Sequence, residues 1–105
     1  MGAGPKKGGS MTDKEITQVV CAVLGVSEDD ISGHSRWCNL VFARFILSMF
    51  LLERTSLDME AIAERMHRQT KTIAYYVERY REDYNSFPRF KAKADAVRRA
   101  LDGEV

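Results

Sequence analysis

Residues 62–77 constrain the fold of this chain more than any other stretch of the sequence. They read IAERMHRQTKTIAYYV, in which two segments with the hydrophobic spacing of helices flank a short polar joint at residues 67–70. The second segment opens with a cation and a hydroxyl, Lys71 and Thr72, and carries two tyrosines about one turn later. This is the arrangement of a helix-turn-helix, whose second helix presents its N-terminal side chains outward.

The composition is typical of a soluble globular protein. The 105 residues are 45% apolar and 30% charged, which suits one domain with a modest core. No apolar run follows a charged N-terminus as in a signal peptide, and the apolar run at residues 40–52 is too short to cross a bilayer. Cys21 and Cys38 are predicted to be reduced core thiols. These features predict a cytoplasmic protein with no membrane contact.

Charge is distributed unevenly, although the net charge is only +1. Residues 11–34 hold one lysine and five acidic residues, a balance of −4. Residues 35–101 hold thirteen lysines and arginines against eight acidic residues, a balance of +5, and the helix-turn-helix lies in this part. The asymmetry favours a nucleic-acid partner, although solvated helix faces also produce such an imbalance.

Hydrophobic spacing predicts an all-α fold, a compact bundle of about five to six helices. A capping box at Thr12 begins the first helix, and Ser27 begins a short turn of helix. A long helix from about residue 35 to residue 54 is apolar nearly all round, which predicts that it is the buried centre. Trp37 is expected to anchor the core.

The remaining helices follow from capping residues and apolar stripes. Asp58 is a good N-cap for the fourth helix, and the fifth begins near Thr70. A last helix runs from Pro88 to about Leu101. Its predicted inward residues are Phe90, Ala94, Val97 and Leu101.

The sequence therefore divides into three segments. Residues 1–10 are predicted to be a disordered tail or a cloning remnant, with a basic arm that uses Lys6 and Lys7 as the alternative. Residues 11–86 are predicted to form the helix-turn-helix domain. Residues 87–105 add a C-terminal helix packed on the same domain, which also offers a surface for a protein partner or a homodimer.

Three stretches resemble one known family. Residues 16–33, ITQVVCAVLGVSEDDISG, are similar to its opening helix and "gvs-x-x-d-l" turn. Arg44 opens an apolar run that closes in ERT at residues 53–55, like the family's R-Q-x-A-M-x-L-A-x-E-L-T. DMEAIA at residues 58–63 stands where the family has S-L-P-E-I-G. Residues 16–80 thus resemble the C-terminal DNA-binding domain of the bacterial replication initiator DnaA, which implies a Trp-repressor-like helix-turn-helix.

The recognition signature of that family is altered in this chain. The family has G-G-R-D-H-T-T-V, and residues 67–74 here read HRQTKTIA, which retain only the first threonine, Thr72. The family's basic loop before the long helix is reduced to residues 34–36, HSR. No Walker A sequence is present. We expect a DnaA-like DNA-binding module whose preferred site differs from the initiator's own box.

The start of the fifth helix carries the predicted base contacts. Lys71, Thr72 and Tyr75 share its outward face, where lysine can donate to guanine and threonine can reach a base edge or a thymine methyl. Gln69 can read adenine if the turn carries it inward. Thr70 is interpreted as an N-cap in preference to a DNA contact, and the helix start itself suits a phosphate.

Further contacts are implied by the resemblance. Arg36 aligns with an arginine that enters the minor groove, with a surface arginine before a helix as the alternative. Arg44 aligns with one near the DNA backbone, with a snorkelling or ion-paired arginine on a buried helix as the alternative. Tyr76 aligns with a residue near phosphate, with packing at the core edge as the alternative. Independently of the resemblance, Arg68 belongs to a group of arginines that either hold phosphates or pair with nearby acids at helical spacing. Its other members are Arg65, Arg79 and Arg81.

No catalytic constellation stands out, and His34 with Cys38 gives only two of the ligands that a zinc site requires. We therefore predict a non-enzymatic protein without cofactor or metal. The leading hypothesis is sequence-specific binding of double-stranded DNA in replication, transcription regulation or a mobile element. The alternative is a protein-interaction adaptor that uses the same scaffold and has lost DNA recognition.

Overall fold

The computed structural model describes residues 11–103, and these form six α-helices with no strand among them. The predicted N-terminal tail lies outside the described residues. The all-α prediction is confirmed. The helices are α1 (Asp13–Leu24), α2 (Glu28–Ser32), α3 (Cys38–Arg54), α4 (Met59–Met66), α5 (Thr70–Ser86) and α6 (Pro88–Leu101).

Local capping signals define the starts of three helices. The Thr12 hydroxyl accepts the Glu15 N–H at 3.1 Å, and the Glu15 carboxylate accepts the Thr12 N–H at 3.0 Å, which is the predicted capping box. Ser27 and Asp58 cap α2 and α4 in the same way, each accepting the N–H three residues further on, at 3.0 and 2.9 Å. These signals lie within a few residues of each other, so the sequence alone could predict them.

Helix α3 is the centre of the molecule, as predicted. It packs against α1, α2, α4 and α5, and its residues from Phe42 to Leu51 are all buried. Ile46 and Phe50 are fully buried in it. The Phe50 ring meets Tyr80 of α5 edge-on, with the ring centroids 6.0 Å apart. Burial on every side explains why α3 lacks a polar face.

Helix α6 packs against α1 and α5 and completes the core. Phe90, Ala94, Val97 and Leu101 are buried, which confirms their predicted inward positions. The Phe90 ring also reaches α3, where its centroid lies 5.1 Å from that of Phe42.

The segment before α3 differs from the prediction. Helix α3 begins at Cys38 instead of residue 35 or 36, and Trp37 is 61% exposed instead of anchoring the core. Cys38 is exposed and Cys21 is half-buried, so the prediction of two core thiols is wrong for Cys38. The cause is tertiary: an arginine of α3 binds the Ser35 carbonyl and holds this segment out of the helix. No helix in residues 11–103 is long and apolar enough to cross a membrane.

Candidate nucleic-acid interface

Helices α4 and α5 are joined by a three-residue turn, residues 67–69. His67 adopts a left-handed conformation with φ 59°, and the Arg68 N–H donates to the Ala63 carbonyl at 2.9 Å, which closes α4. Gln69 occupies the N-cap position of α5, and no side chain caps the helix there. Thr70 is therefore the first helical residue, and its interpretation as an N-cap is wrong. The N–H groups at the start of α5 are left without a side-chain acceptor, which suits an anion.

The first turns of α5 present polar side chains to solvent. Gln69, Thr70 and Lys71 are exposed, and Thr72 is half-buried. Tyr75 lies one turn beyond Lys71 and is 55% exposed. The residues predicted to contact bases thus share one accessible end of the helix.

Arg44 of α3 is buried, and its guanidinium is directed at the backbone that leads out of α2. It is only 4% exposed. It donates hydrogen bonds to the carbonyls of Ile31 (2.9 Å), Asp30 (3.0 Å), Gly33 (3.2 Å) and Ser35 (2.7 Å). The helix that carries Arg44 is buried, as the alternative to a DNA contact supposed. The guanidinium itself is also buried and binds backbone carbonyls, so it neither snorkels to solvent nor pairs with an acid among the described residues.

Arg68, from the turn before α5, reaches the same backbone from the other side. It donates to the carbonyls of Ser32 at 3.0 Å and Ile31 at 3.3 Å, and also to that of Gly33. We call Arg44 and Arg68 together the arginine clamp. Burial lowers the pKa of Arg44, and the positive charge of Arg68 lowers it further, yet a guanidinium keeps its proton in proteins.

A cleft of about 530 Å³ lies between α3, α5 and the segment before α3. It brings together six of the nine residues predicted as the DNA site: Arg36, Arg44, Arg68, Thr72, Tyr75 and Tyr76. His34, Val41 and Phe45 complete the lining, so the walls carry cations and no carboxylate. Gln69 and Thr70 lie instead along a neighbouring depression on α4, which includes acidic residues.

Aromatic packing gives the cleft a fixed floor. The Tyr76 ring lies against Phe45, with centroids 5.5 Å apart, and its hydroxyl accepts a hydrogen bond from Arg68 at 3.1 Å. Phe45 also meets Tyr75 edge-on at 6.3 Å. Tyr76 is half-buried, which agrees with packing at the core edge. The more exposed Tyr75 is thereby supported from below.

The other arginines considered as phosphate contacts lie in different settings. Arg65 pairs with Asp13 at 3.2 Å and Glu28 at 3.1 Å, which ties α4 to α1 and α2. Arg79 pairs along α5 with Glu82 and Asp83, at 3.3 and 3.1 Å. The sequence suggested that these arginines pair with acids at helical spacing. Arg79 pairs in this way, whereas Arg65 pairs with acids of other helices. Arg81 is exposed.

A tight turn joins α4 to the longer α5, which leads with lysine and threonine and has a cationic cleft beside it. These features define a DNA-binding helix-turn-helix module. The family model described as bacterial dnaA protein helix-turn-helix matches residues 14–79. The chain belongs to this family, and this domain is a DNA-binding domain and not a catalytic one. No curated protein matches the chain.

Proposed function

We propose that the chain binds double-stranded DNA with a sequence preference and without catalysis. The start of α5 enters the major groove, and the segment before α3 meets the adjacent minor groove. The observation that carries the proposal is the placement of Lys71, Thr72 and Tyr75 on one accessible helix end beside a cleft lined by cations. Helix starts of this kind reach base edges in the major groove.

The side chains divide into two roles in this proposal. Lys71 and Thr72 read bases. Gln69 and Thr70 lie at the DNA phosphate that binds the uncapped N–H groups of α5. Arg36, which is exposed, enters the minor groove. Arg44 and Arg68 position the reading elements, because their donors already bind protein carbonyls.

The DNA-binding unit is proposed to be residues 11–86, with residues 87–105 supporting it through α6. The biological setting is replication, transcription regulation or a mobile element. The alternative, a protein-interaction adaptor that has lost DNA recognition, is favoured by the loss of all but Thr72 from the family signature. It predicts weak DNA binding at every salt concentration.

A selected-duplex experiment first finds the preferred site, and binding to it is then measured for Lys71→Ala and Thr72→Ala. Each substitution is expected to cost about 1–3 kcal/mol at one or two base positions and to relax the preference there. Arg81→Ala is the control, because Arg81 is exposed on the C-terminal half of the same helix. We expect it to leave the preference unchanged.

Salt dependence separates the two functions. A DNA-binding protein loses affinity steeply as salt rises, because phosphate contacts release counterions. If wild-type protein selects no duplex and binds mixed duplexes poorly even at low salt, the adaptor is the better description. If binding is strong but both helix-start variants keep the wild-type preference, α5 does not read the sequence.

A further inference from the structure

Trp37 is the most exposed large hydrophobic residue among those described, at 61%. An indole combines a wide apolar face with a single N–H donor, and such side chains are usually buried or used at interfaces. No feature of the core requires Trp37, since it lies outside the hydrophobic cluster. The exposed indole is therefore accessible to an external partner.

The position of Trp37 points to the cleft. Its carbonyl accepts the N–H groups of Leu40 and Val41, at 2.9 and 3.0 Å, so it stands immediately before the first turn of α3. Val41, in this first turn, lines the cleft. Arg36, the residue next to Trp37, lines it too. Trp37 is not itself a lining residue, and it lies in the chain between two residues that are.

We propose that Trp37 is an apolar wedge, which enters the minor groove beside Arg36 and partly unstacks one base step, so that binding bends the DNA. This inference rests on the proposed function and adds a residue and a deformation to it. Proteins that bind the minor groove insert apolar side chains between base steps and kink the duplex by about 20–90°. The negative potential of the minor groove attracts Arg36, and the indole of Trp37 then deforms the groove.

The surroundings of Trp37 suit a wedge because the segment that carries it is held in place. Arg44 binds the Ser35 carbonyl at 2.7 Å, and the Trp37 N–H donates to the Ser35 hydroxyl at 3.2 Å. A rigid segment loses little conformational freedom on binding, so more of the contact energy is available for deforming DNA. Pyrimidine–purine steps unstack most easily, and we expect one at the position that Trp37 meets.

Trp37 is the only tryptophan in the chain, so its fluorescence reports directly on the proposal. The wild-type protein is titrated with its selected duplex, with donor and acceptor dyes on the duplex ends to measure bending. We expect quenching of Trp37 emission and a shorter end-to-end distance at the same protein concentration. Trp37→Ala should abolish most of the bend and weaken binding about tenfold, a loss typical of one base–aromatic stacking contact.

Two further variants keep the test specific. Trp37→Phe keeps an aromatic ring and should retain part of the bend. Phe87→Ala removes another exposed aromatic, at the α5–α6 junction, and should leave bending unchanged. Trp37→Ala should also keep the base preference that Lys71 sets.

The outcomes distinguish this inference from the proposed function. If the protein selects and binds a duplex while Trp37 emission and the end-to-end distance stay constant, the wedge is refuted and DNA binding stands. If no duplex is bound, the proposed function itself fails and the wedge fails with it. If Trp37 emission changes with protein concentration in the absence of DNA, the indole belongs to a contact between copies, which also overturns the wedge.

Discussion

Replacing Arg44 with alanine should destabilise the protein by about 2–4 kcal/mol. Hydrogen bonds to a charged group contribute about 1.5–3 kcal/mol each. Arg44 makes four of them, but two of its acceptors, Ile31 and Gly33, also bind Arg68. The loss therefore falls mainly on the carbonyls of Asp30 and Ser35. Both residues are exposed, and water replaces part of what they lose.

The assay is urea denaturation followed by far-ultraviolet circular dichroism. A domain of this size has a stability of about 5–15 kcal/mol, so the variant should remain folded and keep the wild-type m-value. Arg44→Lys should recover less than half of the loss, because one ammonium cannot reach carbonyls spread along the chain. Arg81→Ala, at an exposed position, should change stability by less than about 0.5 kcal/mol.

Because Arg44 and Arg68 share two carbonyl acceptors, the coupling between the two arginines can be measured as a second, stricter test. Arg68→Ala and the double variant complete a mutant cycle with Arg44→Ala, and groups in one network couple by about 0.5–3 kcal/mol. A loss below about 1 kcal/mol for Arg44→Ala, or exact additivity in the cycle, would refute the reasoning. Either result would mean that the segment before α3 keeps its shape without the clamp.

Three other predictions follow from the structure. Phe50→Ala should cost about 3–5 kcal/mol in calorimetry, because Phe50 is fully buried in the central helix; a cost near zero would contradict that burial. Arg36→Ala should weaken binding mainly at duplexes with A·T-rich minor grooves, and an equal loss at every sequence would make Arg36 a phosphate contact only. Cys38 is exposed, whereas burial and the nearby Glu28 raise the pKa of the half-buried Cys21. A thiol reagent at neutral pH should therefore label Cys38 first, as peptide mass spectrometry can check.

The sequence predicts those features that depend on neighbouring residues. The capping box at Thr12, the cap at Asp58 and the inward stripe of α6 are confirmed because each is set by side chains within one or two turns. The exposure of Trp37 could not be predicted. It depends on Arg44 binding the Ser35 carbonyl, nine residues away in sequence, and no local pattern reports which carbonyl an arginine will reach.

In the candidate site, too, the sequence predicts the features that depend on neighbouring residues and misses those that depend on distant contacts. Helix periodicity placed Lys71 and Tyr75 together on the outward face of α5, and both are exposed there. The sequence left two interpretations for Arg44 and for Arg68, because an arginine on or beside a helix can face solvent, acids or backbone equally well. Only the path of the chain after α2 decides between them, and His34 enters the cleft for the same reason.

The arginine clamp joins the two proposed DNA-contacting parts into one rigid body. Arg44 from α3 and Arg68 from the turn before α5 hold the same stretch of backbone, so the spacing between Arg36 and Lys71 is set before any DNA arrives. Such a protein requires a fixed distance between the two stretches of DNA that it contacts. One base pair inserted between the contacted stretches turns one against the other by about 34–36° and separates them by about 3.4 Å. Its sites should therefore tolerate changes of base better than changes of spacing.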